Sequence, residues 1–167
     1  MIAYLDIETA FDGRITVVGV LVSGRELVQL VGTEVTGPRL AGTLGGVDTL
    51  CTYYGEGFDL PVLERQLGLD LLSRYRSIDL ATLCRTRRLR GGLKGVEATL
   101  GIGRTVSGLN GIDAMQLWDR WERGDRGALD TLLAYNADDV VNLAVLERRL
   151  RGDLSPLADP ARVVVGA

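Results

Sequence analysis

A chain of 167 residues favours a single domain, long enough to bury roughly 68–70% of its unfolded surface without disulfide staples. Hydrophobic residues make up 46% and charged residues 25%, and no apolar run nears the ~18 residues of a membrane span, so a soluble protein with no membrane partner is expected. With no histidine, Ser-His-Asp and Cys-His catalysis, histidine-bound zinc and imidazole bases are excluded, and a net charge of −3 speaks against coating nucleic acid by charge alone.

No basic n-region or small-residue cleavage site precedes the first strand, "MIAYLDIE", which makes a cytoplasmic location the expectation. Alternation along residues 1–8 puts Leu5 and Ile7 on one face and Asp6 and Glu8 on the other. Two anions aimed at one place need protonation, a cationic side chain or a bound metal ion. "RITVVGVLV" and "RELVQLVG" read as the second and third strands, joined at a Ser23-Gly24 hairpin turn. Residues 34–47, rich in Gly with one Pro, predict a poor helix or a loop before a fourth strand at "VDTLCTYY". In "LPVLERQLGL", Leu60, Leu63 and Leu67 recur at helical spacing, Pro61 is tolerated in a first turn, and Asp59 is placed to cap the helix.

"RSIDL" predicts a short fifth strand, followed by a basic helix, "ATLCRTRRLR", closed by Gly91-Gly92, and by a short helix, "LKGVEATLGI", ending at Gly101. Residues 85–94 hold five cations and no acid, with two readings: phosphate contacts or a solvated helix face. "GIDAMQLWDRWERGD" and "RGALDTLLAYNADDVVNLAVLERRL" are longer helices, and Trp118 and Trp121, three apart on the first, suit packing. Strands early and helices late give an α/β class with a mixed sheet. Residues 1–150 read as the domain and 151–167 as a C-terminal tail with room for an added edge strand. Cys51 and Cys84 read as buried free thiols.

Carboxylates in unusual settings mark the candidate site: Asp6 and Glu8 in the first strand, Asp59 after the fourth, and Asp139 in an otherwise apolar helical stretch. Leu132, Tyr135, Asp139, Leu143 and Leu146 share a helix face, which sets Tyr135 beside Asp139. Asp138 is one position off that register and is expected to face solvent. Asp79 and Asp113 read as helix-start residues.

In this order and at these separations, "YLDIETA", "GEGFDLPVLE" and "YNADDVVNL" resemble the three exonuclease motifs of the RNase H-like DEDD superfamily. The likeness is greatest to its tyrosine-bearing DEDDy branch and, within that, to small prokaryotic YprB-like RNase H-like domains. "SIDLATLCR" and "LKGVEATLGI" resemble the connecting segments of that subgroup. The resemblance implies an RNase H-like fold with a central mixed five- or six-stranded sheet flanked by helices. It also implies 3′→5′ phosphodiester hydrolysis with two divalent ions, Mg²⁺ or Mn²⁺, held by Asp6, Glu8, Asp59 and Asp139, with Tyr135 as the motif tyrosine. Hard oxygen ligands suit those ions. Single-stranded DNA or RNA is the implied substrate, with Thr9, Tyr54, Phe58, Arg87, Arg88 and Lys94 as candidate contacts and a protein partner a possible source of affinity. Tyr54 is a departure, because the subgroup usually carries Asn there. Two other classes stay open: a non-catalytic nucleic-acid-binding or scaffold module of the same fold, and a structure-selective endonuclease.

Overall fold

The alternating opening segment becomes a central strand. In the computed structural model, which describes residues 1–155 and 160–166, β1 (Ile2–Thr9) runs antiparallel to β2 (Ile15–Val22), and β2 antiparallel to β3 (Leu27–Val31). On the other side of β1, β4 (Thr49–Thr52) and then β5 (Arg76–Asp79) add in parallel. The last strand, β6 (Arg162–Val165), lies parallel to β3 at the far edge. The result is a six-stranded mixed sheet in the order β5-β4-β1-β2-β3-β6, flanked by helices. All eight residues of β2 are buried, as expected of a strand covered on both faces.

Alternation in β1 separates two packing layers. Ala3, Leu5 and Ile7 join Leu40 of α1 (Gly37–Thr43), Leu60 and Leu63 of α2 (Asp59–Leu67) and Leu71 of α3 (Leu71–Arg74). On the opposite face, Tyr4 packs with Leu80 and Cys84 of α4 (Leu80–Thr86), Val96 of α5 (Gly92–Leu100) and Val140, Leu143 and Leu146 of α7 (Arg126–Leu150). Beyond it, α6 (Gly111–Glu122) presses Ala114, Leu117 and Trp118 against the N-terminal half of α7. Trp118 is buried and its ring lies 4.4 Å from that of partly buried Trp121, which packs against the core, so the pair serves packing, as the spacing implied. Cys51 and Cys84 are buried free thiols.

The approach of α7 to the sheet depends on one glycine. Gly19 of β2 lies opposite Asp6 in the β1–β2 register, and a Cβ there would sit 2.3 Å from Asn136 Oδ1 and 2.7 Å from Val140 Cγ2. Any larger residue would push α7 away at the level of Asp6 and Asp139.

Three local segments go beyond or against expectation. The segment 34–47, read as a poor helix or loop, holds α1, because Thr36 caps it through Arg39 N–H and Pro38 sits in its first turn. The basic helix expected over 81–90 stops at Thr86. The N–H groups of Arg87 and Leu89 both turn back to the Cys84 carbonyl at 3.0 Å, Leu89 packs inward and Arg88 adopts φ 62. The short α3, unforeseen, is capped by Asp70. Among the described residues, no helix is long and apolar enough to cross a membrane.

Candidate metal centre and active site

Asp6 and Glu8 leave β1 on the face that α7 covers, and α7 brings Asp139 to meet them. One carboxylate oxygen from each of the three lies within 4.8 Å of the others. Asp59 opens α2 and lines the same cleft, accepting the Ile7 N–H at 3.1 Å. The expectation that Asp59 caps α2 is thereby corrected: Phe58 is the N-cap residue, and the Asp59 carboxylate is turned to β1. Tyr135, one turn before Asp139, is buried; its hydroxyl accepts a hydrogen bond from Lys94 Nζ, which also stands 4.3 Å from the ring centroid.

The four acids and Tyr135 surround an open cleft of about 370 Å³, lined also by Thr9, Tyr54 and Phe58, with Lys94 behind the Tyr135 hydroxyl and outside the lining. Tyr54 and Phe58 are 55% and 45% exposed, large aromatic faces left bare beside the acids. Tyr54 holds an unusual φ of 62, with its N–H donating to Asp79 Oδ1 at 3.0 Å and its ring laid on Gly57, where a Cβ would come within 2.7 Å of Cζ. Asp79 also caps α4 through Ala81 N–H, and Asp113 forms a capping box with Asn110, so both are the helix-start residues expected. Of the candidate contacts, Arg87 and Arg88 are not brought to this cleft. Arg87 donates to the Leu150 carbonyl at 3.1 Å and lines a separate hollow with Glu147 and Arg151, and Arg88 is exposed.

Burial and mutual repulsion govern the electrostatics. Burial, then the charges of Asp139 and other acids, pushes the carboxyls of Asp6 and Glu8 well above the usual range. Burial lifts Asp59 to about 6 against the hydrogen bond from Ile7. Asp139 is raised by burial while Arg104 opposes the shift. Burial and the neighbouring acids drive the Tyr135 hydroxyl far up, so it stays neutral.

Several residues of this arrangement escaped the sequence reading. Asn136 donates through Nδ2 to Asp6 Oδ2 at 3.0 Å, and its own Oδ1 accepts from buried Gln29 of β3 at 2.9 Å, which fixes the amide orientation. Arg104 donates to Asp139 Oδ1 at 2.7 Å and to Glu97 of α5. Asp138 does not simply face solvent: it accepts from Thr105 Oγ1 at 2.9 Å and from Val106 N–H at 2.8 Å, clasping the loop that carries Arg104. Asn136 adjoins the Tyr135–Asp139 face, a signal that could have found it; nothing periodic marks Arg104.

The donor set consists of carboxylate oxygens carrying charge that the protein only partly compensates. That chemistry fits a hard divalent cation such as Mg²⁺ or Mn²⁺. The chain belongs to the RNase H superfamily, whose family model matches residues 3–151. Among solved structures, the family B DNA polymerase from the hyperthermophilic archaeon Pyrobaculum calidifontis superposes with a TM-score of 0.71 over 90% of this chain at 18% identity. The likeness covers 24% of the polymerase, about a quarter of its length, and is one of fold. No curated protein sequence matches the chain.

Proposed function

We propose that this chain is a metal-dependent 3′→5′ exonuclease of the tyrosine-bearing DEDD branch, akin to the YprB-like domains, acting on single-stranded DNA or RNA. The observation that carries the reading is the convergence of Asp6, Glu8 and Asp139 within 4.8 Å in a cleft that also holds Asp59 and Tyr135. In this reading the four carboxylates hold Mg²⁺ or Mn²⁺. Held there, such ions would supply Lewis-acid stabilisation of the charge that develops on the phosphodiester oxygens.

The chain's own residues then divide the remaining work. Tyr135, kept neutral by burial and the surrounding acids, orients the attacking water through its hydroxyl and is not a general base. Lys94 holds that hydroxyl in place and offers a positive charge to the scissile phosphate. Asn136 fixes one oxygen of Asp6. Tyr54 and Phe58 present faces on which an unpaired terminal base can stack, a contact available to single strands. Arg87 and Arg88 lie outside the cleft and serve, if the substrate reaches them, its trailing phosphates. Residues 1–150 form the nuclease domain with 151–167 as an appended segment, the site of action is the cytoplasm, and the net charge of −3 favours a partner that supplies substrate affinity.

One observation favours a second reading, a nucleic-acid-binding module without catalysis: Asp139 already has a cationic partner in Arg104. End-labelled single- and double-stranded DNA and RNA, incubated with Mg²⁺, Mn²⁺ or chelator, separate the two. The exonuclease yields a ladder shortening from the 3′ end that chelator abolishes. Internal cuts mark an endonuclease, and retarded but uncut substrate marks the binding module.

A further inference from the structure

Arg104 stands on the loop between α5 and α6, yet only 9% of its side chain is exposed. Its Nη1 donates to both oxygens of Glu97, at 2.9 and 2.8 Å, and its Nη2 to Oδ1 of Asp139 at 2.7 Å. Glu97, 1% exposed, accepts in turn from Asn142 Nδ2 at 2.9 Å, one turn beyond Asp139 on α7. The path Asn142, Glu97, Arg104, Asp139 therefore begins and ends on the same helix.

Charge and shape each constrain what this path can do. An arginine buried beside the acids without Glu97 would bring a full positive charge into competition with any cation there; Glu97 cancels it. A guanidinium is a rigid planar fork, so with Nη1 committed to Glu97, the direction of Nη2 is set, and it donates to one oxygen of Asp139 at 2.7 Å and to the Tyr135 carbonyl at 3.5 Å. We propose that Arg104 is the positioning residue of this centre: pinned by Glu97, it holds Oδ1 of Asp139 and biases that acid towards ligating a cation through a single oxygen. The inference rests on the metal reading given above. Its consequence is selectivity. Single-oxygen ligation suits ions with compact octahedral shells, Mg²⁺ and Mn²⁺, and works against Ca²⁺, whose larger shell readily takes both oxygens of a carboxylate.

The test measures Mn²⁺ binding to the full chain by electron paramagnetic resonance, and Ca²⁺ binding by competition with Mn²⁺. The proteins are the parent, Glu97→Gln, Arg104→Gln and the double variant. Removing both charges together leaves no unpaired charge at position 97, so the double variant strands one acid fewer than Arg104→Gln, and its melting temperature guards against reading loss of folding as loss of binding. With Asp139 free to turn, the preference for Mn²⁺ over Ca²⁺ falls by about tenfold in Arg104→Gln and in the double variant. In Glu97→Gln, where Arg104 keeps its charge and its hold on Asp139, Mn²⁺ binding weakens by about tenfold while the preference is retained. A purely structural role would move melting temperature and overall affinity without touching the ratio of the two ions. An unchanged ratio in the double variant overturns this proposal and leaves the metal reading standing; a parent protein that binds no Mn²⁺ overturns both.

Discussion

On one face of β1, Ala3, Leu5 and Ile7 pack into an apolar layer with Leu60 and Leu63; on the other, one residue along, Tyr4 is followed by Asp6 and Glu8. The first face stabilises the fold by ~1.5–3 kcal/mol for each fully buried Leu or Ile. The second gathers carboxyls that burial and repulsion hold above their ordinary range, so it costs stability once they ionise. A period of two lets one strand keep these demands on alternate residues. They are therefore separable by mutation.

The widest separation is expected between Asp6→Asn and Leu5→Ala. Asp6→Asn keeps size and removes charge, so cleavage should fall by on the order of 10³-fold, as when a transition-state electrostatic partner is lost. Metal-free stability should hold or rise, because one repelling charge has gone. Leu5→Ala should do the opposite, lowering stability by about 2–5 kcal/mol while folded protein cleaves at the parental rate. Chemical denaturation beside single-turnover cleavage checks the pair; a clear loss of metal-free stability in Asp6→Asn with cleavage intact would make Asp6 a structural residue.

Next in size is Tyr135→Phe. The ring and its packing stay, and the hydroxyl that Lys94 holds is removed. The rate should fall by ~10²-fold with Mn²⁺ affinity nearly unchanged, the range expected for a positioned proton-handling or orienting group. Equal rates remove Tyr135 from the mechanism, and a parallel loss of affinity recasts it as support for Asp139.

A smaller effect distinguishes the faces by pH. Asp59 is raised to about 6, chiefly by burial, and Asp6 and Glu8 are raised well above the usual carboxyl range by burial and neighbouring acids, so the folded state favours their protonated forms. That contribution is fully present below the unfolded carboxyl pKa of about 4 and is lost as pH rises through about 6. The melting temperature of metal-free protein should fall across this window, at about 2–4 °C per kcal/mol, and the increment from Mn²⁺ should grow over the same window. The shift caused by Leu5→Ala should be flat with pH. A Mn²⁺ increment independent of pH would argue that the ion binds away from these carboxyls.

The meeting of Asp139 with Asp6 and Glu8 was implied by the resemblance of the motifs, and the structure brings the three together. The shared face of Asp6 and Glu8 and the four-residue step from Tyr135 to Asp139 were legible because both follow from backbone period. The sheet class was legible for the same reason. Arg104 was not, since it lies in an aperiodic Gly-rich loop and is defined by partners on two helices. Nothing in the sequence marks Glu97 in its short helix or Gln29 in its strand, because burial of a polar side chain is a tertiary fact. The early end of the basic helix had a similar origin: the inward packing of Leu89 overrode a run of good helix formers.

The smallest effect is that of Asp138, the neighbour of Asp139 on α7, which faces the loop and not the acids. Asp139→Asn should cost activity by orders of magnitude, whereas Asp138 holds only the loop, through Thr105 Oγ1 and Val106 N–H. In Asp138→Asn the amide oxygen can still accept from Val106, and the amide nitrogen can donate to the Thr105 hydroxyl, which accepts as readily as it donates. Two charge-assisted bonds become two neutral ones, at a cost of about 0.5–1.5 kcal/mol, and cleavage should change by no more than a few-fold. Asp138→Ala removes both acceptors, so the loop should loosen and Arg104 with it. Hydrogen exchange of the Val106 amide should then rise, and cleavage should fall several-fold through weaker positioning of Asp139. A large loss of cleavage in Asp138→Asn with Val106 still protected would move Asp138 into the chemical site and reverse the assignment of the two acids.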